Sequence, residues 1–421
     1  MVAAAVLCCT LAAERAFAQP IEVELEALLT FAQTHSPMLQ LAEARRGYAQ
    51  AARAAAAPLF ASNPALQLNI GPRFDPRGTS GLDFTAVLGQ PIELAGQRGV
   101  RGELADRTGG RVDAELTLAR WELRRQVSEA YRAAIVAREQ VRVSDQLLTF
   151  ASDMANIAQR RFGAGELSVI DRQIADSDVA QARQAKLLAE QAVRDAQLTL
   201  CELTGWPIER LPVPRGALTP PAPVPTLERV LAQAAARHPE LASKQAAVEE
   251  ARARVTLAER DASPSPTLGI QVAREAHRAG DGEGVNYIVL GSIGLSLPVW
   301  QRNQEERARA RTDQAVAQGE HSATTLVLRV RIAKVHAQLL AAAERLRLFS
   351  AEIAPSLESS LALLRRGLEA GELPIVDVAV ARERFLQTQR DALDAYGAYY
   401  RALAELEYLA GAPLYPTEAA R

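Results

Sequence analysis

Polar and apolar positions alternate in two separate places along the chain. Leu66, Leu68 and Ile70 fall on one side of an extended segment, with Gln67 and Asn69 on the other. The same period of two sets Tyr287, Val289, Ile293, Leu295 and Leu297 opposite Asn286, Ser292 and Ser296. With a companion segment before or after each, this pattern predicts strands over roughly 65–71, 82–94, 267–273 and 285–297. The stretches Gly71–Gly81 and Arg274–Gly284 between them are polar and glycine-rich, as hairpin loops are. Elsewhere the spacing is helical, and helices are predicted over roughly 25–61, 96–163, 168–204, 226–262, 300–367 and 374–409. The two longest hold about 67 residues each, or about 100 Å at 1.5 Å per residue.

These elements occur twice in the same order. LEALLTFAQTHSP, Leu25–Pro37, is matched by LERVLAQAAARHP, Leu227–Pro239, and NPALQLNI by SPTLGIQV. Gln90-Pro91 followed by Gln97-Arg98 faces Leu297-Pro298 followed by Gln301-Arg302. Next RRFGAGELSVID, Arg160–Asp171, faces RGLEAGELPIVD, Arg366–Asp377, and LTGWP faces LAGAP. Between the halves lies WPIERLPVPRGALTPPAPVP, Trp206–Pro225, too proline-rich for helix. The expected organisation is a leader at 1–18, a first repeat at 19–205, a linker at 206–225, a second repeat at 226–411 and a tail at 412–421. Each repeat reads as helix, two strands, long helix, glycine turn, medium helix. The fold class is mainly α with a small β part, built of long antiparallel helical hairpins with strands at one end and glycine turns at the other. Four strands with one apolar face do not stand alone: lipid demands a closed barrel, and in water such a sheet aggregates. The chain is therefore expected to oligomerise.

Composition narrows the partners. Of 421 residues, 48% are hydrophobic, 23% charged and 5% aromatic, as in long helices, and the net charge of −2 offers no basic footprint for nucleic acid. MVAAAVLCCTLAAERAFAQ opens the chain and reads as a signal peptide cut after Ala18, although no basic residue precedes its apolar run, which points to a start further upstream. Leu7 stands before Cys8, where a lipidation motif takes a small residue. Removal of the leader leaves Cys201 as the one cysteine, so no intrachain disulfide is expected. No run of about 18 apolar residues follows, so no transmembrane helix is expected.

The duplicated halves, the RFGAGELSVID and GELPIVD turns and the LTG and LAG helix ends resemble the TolC family of outer-membrane efflux proteins over essentially the whole mature chain. QPIELAGQR and LPVWQRNQ resemble its heavy-metal branch, the CzcC-like proteins. The resemblance implies a homotrimer whose strands close one twelve-stranded barrel in outer-membrane lipid, with the hairpins forming an α-barrel through the periplasm. It implies glycine turns at a gated lower mouth, meeting a periplasmic adaptor and, through it, an inner-membrane pump of the RND type. No catalysis by this chain and no cofactor is implied.

Within the turns, Gly163, Gly165 and Gly371 are expected to permit the chain reversal, and by the resemblance to receive the adaptor. Asp171 and Asp377 are candidate gate residues; each also suits the first turn of a helix, and Ser168 with Asp171 has capping-box spacing. Glu166 and Glu372 are candidates for negative rings or for solubilising an exposed tip. Arg160 and Arg366 are candidates for pairing with these acids across subunits or for closing a helix dipole. The family's second Asp, one turn beyond the position of Asp377, is here Val380. His35, His238, His277, His321 and His336 show no metal-ligand spacing. The GDGEG run at 280–284 lacks the Lys and Ser/Thr of a phosphate loop. The reading is an efflux exit duct for metal cations, with a drug or secretion duct and a soluble coiled-coil scaffold as alternatives.

Overall fold

The computed structural model describes residues 21–74, 80–279, 282–349, 363–370 and 372–415. The predicted leader lies outside the described residues. In chain order the elements are β1 (Ile21–Val23), α1 (Leu25–His35), α2 (Pro37–Ala44), α3 (Arg46–Ala56), β2 (Ala65–Phe74), β3 (Ser80–Pro91), α4 (Gln97–Gly163) and α5 (Val169–Thr204). There follow β4 (Pro212–Pro214), α6 (Leu227–Arg237), α7 (Pro239–Arg260), β5 (Thr267–Ala279), β6 (Gly282–Gly294), α8 (Gln304–Leu348), α9 (363–370) and α10 (Ile375–Ala410). The chain is mainly helical with a small β part.

Two predicted helices are broken at a proline, and the first of them breaks again at Arg45, between α2 and α3, where no proline stands. The segment expected at 25–61 ends its first helix at His35 and restarts at Pro37; that expected at 226–262 ends at Arg237 and restarts at Pro239. A proline lacks the N–H that would bond back one turn, and its ring disfavours a helical residue before it. Both restarts keep proline at the first helical position, where its missing donor costs nothing. The third long segment, expected from 300, begins as helix only at Gln304, after a turn.

The sheet has the order β2-β3-β5-β6, all antiparallel. Its register places Leu66, Leu88 and Ile270 in one row, Leu68, Ala86, Val272 and Val289 in the next, and Ile70, Phe84, Arg274 and Tyr287 in a third. One face is therefore apolar and exposed in the single chain. The other carries Gln67, Asn69, Gln271 and Ser292, with Arg73 bridging Asp83 at 2.8 Å and Glu275 at 3.1 Å. Among the described residues, β2 and β6 each have a neighbour on one side only.

The chain forms two compact units, each drawing on both repeats. One comprises Met1–Gln40, Glu122–Thr226 and Lys334–Tyr408; the other Leu41–Trp121, Leu227–Ala333 and Leu409–Arg421. In the first, the Pro-rich linker is fixed to helices by side chains. Its short strand β4 runs parallel to β1. The Tyr131 hydroxyl on α4 lies 2.6 Å from the Arg215 carbonyl and 3.0 Å from that of Val23. The Tyr400 and Tyr399 hydroxyls accept from the N–H groups of Thr219 (2.9 Å) and Ala222 (3.1 Å). His336 Nε2, 2.8 Å from the Pro225 carbonyl, must be the protonated nitrogen, because a carbonyl only accepts. In the second unit, buried Glu250 on α7 accepts from Arg111, from Arg254 at 2.9 Å and from Thr108 at 3.2 Å. A carboxylate held by that many donors does not go unpaired, which is what burial of a charge requires.

Each repeat also ends on a glycine with left-handed backbone packed on another helix end. Gly205 (φ 74°) follows α5, and a Cβ there would meet the His35 carbonyl; Gly411 (φ 71°) follows α10, and its Cβ would lie 2.9 Å from the Arg237 carbonyl. The LTG and LAG signatures thus each press on the break before Pro37 or Pro239.

Candidate functional site

The first hairpin turn is a helix C-terminus closed by two backbone bonds. Glu166 N–H donates to the Arg161 carbonyl at 2.9 Å and Gly165 N–H to that of Phe162 at 3.0 Å. This Schellman pairing needs a left-handed residue at its centre, and Gly165 supplies it with φ 78°. Gly163 differs from the expectation: it is the last residue of α4, has no positive φ, and a Cβ there would meet open space. Its glycine is therefore not required by the chain reversal. Gly371 lies outside the described residues. At the second turn Glu372 N–H donates to the Gly367 carbonyl at 2.9 Å, the counterpart of the Glu166 bond. Gly367 itself is closely packed, since a Cβ there would stand 2.6 Å from the Leu373 Cδ1.

The four candidate acids fall into different environments. Asp171 is consumed by a capping box: its Oδ2 accepts from Ser168 N–H at 3.1 Å and from the Ser168 hydroxyl at 2.7 Å, while its own N–H donates to Ser168 Oγ. Glu166 is exposed but tied to Arg161 Nε at 3.0 Å. Glu372 and Asp377 are exposed and have no side-chain partner among the described residues. Asp377 sits in the first turn of α10, its N–H bonded to the Pro374 carbonyl at 3.1 Å.

Arg160 and Arg366 are exposed with no ion-pair partner among the described residues; their neighbours in sequence make the contacts instead. Arg161 donates through a terminal nitrogen to the Leu368 carbonyl at 3.2 Å, joining the first turn to α9. Arg365 reaches Asp153 on α4 at 3.4 Å and Glu369 at 3.2 Å. Adjacent helical residues point about 100° apart, so the charge that faces the neighbouring hairpin is decided by one position. Beneath the turns Met154, Ile157, Ala158, Ala175, Leu368 and Val378 form one buried cluster shared by α4, α5, α9 and α10. Burying Leu368 alone contributes about 2 kcal/mol.

One pair gave no sequence signal beyond its charges. Arg382 on α10 is buried and donates to Asp178 Oδ1 on α5 at 3.0 Å. Burial pushes the Asp178 carboxyl above its ordinary pKa, and the Arg382 charge opposes that rise. Arg172 covers the Phe162 ring at 4.9 Å. Among the described residues no three His, Cys, Asp or Glu side chains are grouped to hold a metal ion, and no helix is long and apolar enough to cross a membrane. The arrangement offers solvent-facing turns with two candidate carboxylates, Glu372 and Asp377, that have no side-chain partner among the described residues.

Comparison with known proteins places this architecture. The family model described as outer membrane efflux protein matches residues 28–206 and 230–412, one match in each repeat. The cobalt-zinc-cadmium resistance protein CzcC of Cupriavidus metallidurans is 27% identical over 331 residues, spanning 78% of this chain and 77% of that protein. The pyoverdine export outer membrane protein OpmQ of Pseudomonas aeruginosa is 29% identical, spanning 73% of this chain and 66% of its own length. Among solved structures, CusC superposes with a TM-score of 0.72 at 16% identity, covering 93% of both chains. The outer-membrane channel OprN superposes at 0.74 with 18% identity, covering 92% of this chain and 89% of that one. The Campylobacter jejuni channel CmeC does so at 0.74 with 14% identity, covering 92% and 85%. With both repeats matched and the α-barrel channel fold reproduced, the chain belongs to the outer membrane efflux protein family and is a CzcC-like efflux channel of the outer membrane.

Proposed function

We propose that the chain is the exit duct of a tripartite efflux pump, conducting heavy-metal cations passively from the periplasm to the exterior. The observation that carries this reading is the sheet: an apolar exposed face, a polar opposite face, and two outer strands that among the described residues are paired on one side only. Three copies supply twelve strands, within the range of closed barrels that lipid accepts. The energy then comes from an inner-membrane pump of the RND type through a periplasmic adaptor. The turns around Gly163, Gly165 and Gly371 are the docking surface proposed for that adaptor.

Metal cations are favoured as cargo by the similarity to CzcC, whose name records cobalt, zinc and cadmium resistance. Similarity to OpmQ, named for pyoverdine export, supports a second reading as a duct for larger organic molecules. Glu372 and Asp377, without a side-chain partner among the described residues, are the acids best placed to attract cations; Asp171 and Glu166 already have partners, and Arg160 and Arg366, without an ion-pair partner among the described residues, are candidates to meet acids of a neighbouring copy.

Heat-modifiable gel mobility of the membrane fraction tests the duct. A trimer that resists detergent until boiled is expected; recovery as a soluble periplasmic monomer overturns the reading in favour of a scaffold. Deletion of the gene separates the cargoes: sensitivity to zinc, cobalt or cadmium is expected, and loss of siderophore export alone selects the second reading. In planar bilayers, Glu372→Lys and Asp377→Lys are expected to lower cation conductance, and unchanged conductance leaves both acids as tip or cap residues.

A further inference from the structure

The polar face of the sheet carries its charge at one height. The register of β2, β3, β5 and β6 puts Arg73, Asp83 and Glu275 on the face of Gln67 and Asn69, and among the described residues of these strands no other Asp, Glu, Lys or Arg shares it. Arg73 Nε donates to Asp83 Oδ2 at 2.8 Å, and a terminal nitrogen lies 3.1 Å from Glu275 Oε2. β2 and β5 stand on either side of β3, about 10 Å apart at ~4.8 Å per strand, so the Arg73 side chain lies across β3 on this face. Between 29% and 42% of each of the three side chains stays exposed, so the charges are wetted rather than sealed off.

The levels between this cluster and the helix end of the sheet hold no charge. Asn69 stands opposite Thr85, Val87 stands between Gln67 and Gln271, and Ala65 stands opposite Gly89. From Ala65 to Arg73 the strand advances about 20 Å along a barrel axis, at ~3.3 Å per residue and ~40° tilt. The cluster therefore lies at the hairpin end of the sheet.

We propose that Arg73, Asp83 and Glu275, repeated in three copies, form a charge ring that sets the ion selectivity of the barrel at its outer mouth. This inference rests on the barrel reading above, with the polar face turned to the lumen. One positive and two negative groups give a net charge of −1 per copy and −3 per ring. Twelve strands at ~4.8 Å spacing and ~40° tilt enclose a backbone radius of ~12 Å. With the side chains reaching inward, an ion on the axis passes within about 10 Å of the ring. That is about one Debye length at ~0.1 M salt, so the field of the ring reaches the ion. The low-dielectric wall of the barrel focuses that field, enriching cations at the mouth and depleting anions. Arg73 sets its strength by offsetting half of the negative charge.

Reversal potentials of the full chain in planar bilayers under a potassium chloride gradient test this, read as the ratio of cation to anion permeability. Glu275→Gln is expected to lower the ratio about threefold, and Arg73→Gln to raise it by about as much. The opposite signs are the discriminating result, because a cluster that only braces the strands moves both variants the same way. Arg73→Lys keeps the charge and is expected to keep the unaltered ratio. Heat-modifiable gel mobility checks that each variant has assembled, and Asp83→Asn gives the same reading as Glu275→Gln from the other acid. A ratio unchanged in the Gln variants, or shifted in one direction by both, overturns the charge ring. Absence of channels in the unaltered protein overturns the barrel reading and the ring together, whereas channels with unshifted ratios overturn the ring alone.

Discussion

At the first hairpin turn Arg161 reaches from α4 to the Leu368 carbonyl, Gly165 reverses the chain, and Ser168 with Asp171 caps the next helix. At the second turn Gly367 stands where Arg161 does, Leu373 folds over it, and Pro374 takes the place of Ser168. The closing backbone bond from Glu166 or Glu372 is common to both. What the repeats share is therefore main-chain geometry; what they divide is side-chain work, with polar fastening on one turn and apolar packing on the other. The acids follow the same division. Asp171 is spent on its helix start, while Asp377 is left facing solvent.

The strongest way to break the shared part is at the glycines that end each repeat. Gly205→Ala or Gly411→Ala combines a left-handed backbone with a Cβ driven into another backbone, and each is expected to cost about 3–4 kcal/mol. A collapse of the thermal midpoint in detergent, alike for both variants, checks the equivalence of the two positions.

A second test sets the two helix breaks apart. Ser36 and His238 occupy matching sites before Pro37 and Pro239, but only His238 carries a titratable ring. It is buried, its Nδ1 accepts the Glu240 N–H at 3.2 Å, and burial, assisted by the Arg331 charge, lowers its pKa to about 4. The unfolded chain takes up a proton near pH 6.5 and the folded one does not until about pH 4. Stability from this group is thus full above pH 6.5 and declines as pH falls to about 4, by about 3 kcal/mol. His238→Asn keeps an acceptor and is expected to flatten that slope in urea titrations at pH 7 and pH 4.5.

Smaller effects sharpen the contrast between the turns. Arg161→Ala removes the bond to Leu368 and is expected to cost about 1–2 kcal/mol, seen as faster amide exchange in α9. Arg160→Ala, one position away, is expected to leave that exchange unchanged. Ser168→Ala opens the capping box for about 1 kcal/mol. Gly163→Ala is expected to be neutral or to stabilise by up to about 1 kcal/mol, while Gly165→Ala destabilises; thermal melts of the two variants with opposite signs check the assignment of the turning residue.

Much of this was legible in the sequence, because it depends on local periods. Alternation at 66–70 and 287–293 gave the sheet faces, and the duplicated RFGAGELSVID gave the turns. Less legible were features set by contact between distant segments. The Arg382–Asp178 pair looks like two solvated helix charges until α5 and α10 are seen to bury it. Matching Gln97-Arg98 to Gln301-Arg302 followed side-chain identity, whereas the structure aligns Gln97 with Gln304, since each accepts an N–H two residues before it. The breaks at Pro37 and Pro239 were readable from residue type but were outweighed by the helical periodicity on either side.

The outer strands β2 and β6 carry a genetic consequence. If three copies close one sheet, a copy unable to pair along either strand spoils the ring for its two intact companions. With intact and altered chains made in equal amounts, about one ring in eight would be free of the altered copy. A proline introduced at an outward-bonding position of β6 would therefore act as a dominant allele, lowering efflux in a cell that still makes plenty of intact protein.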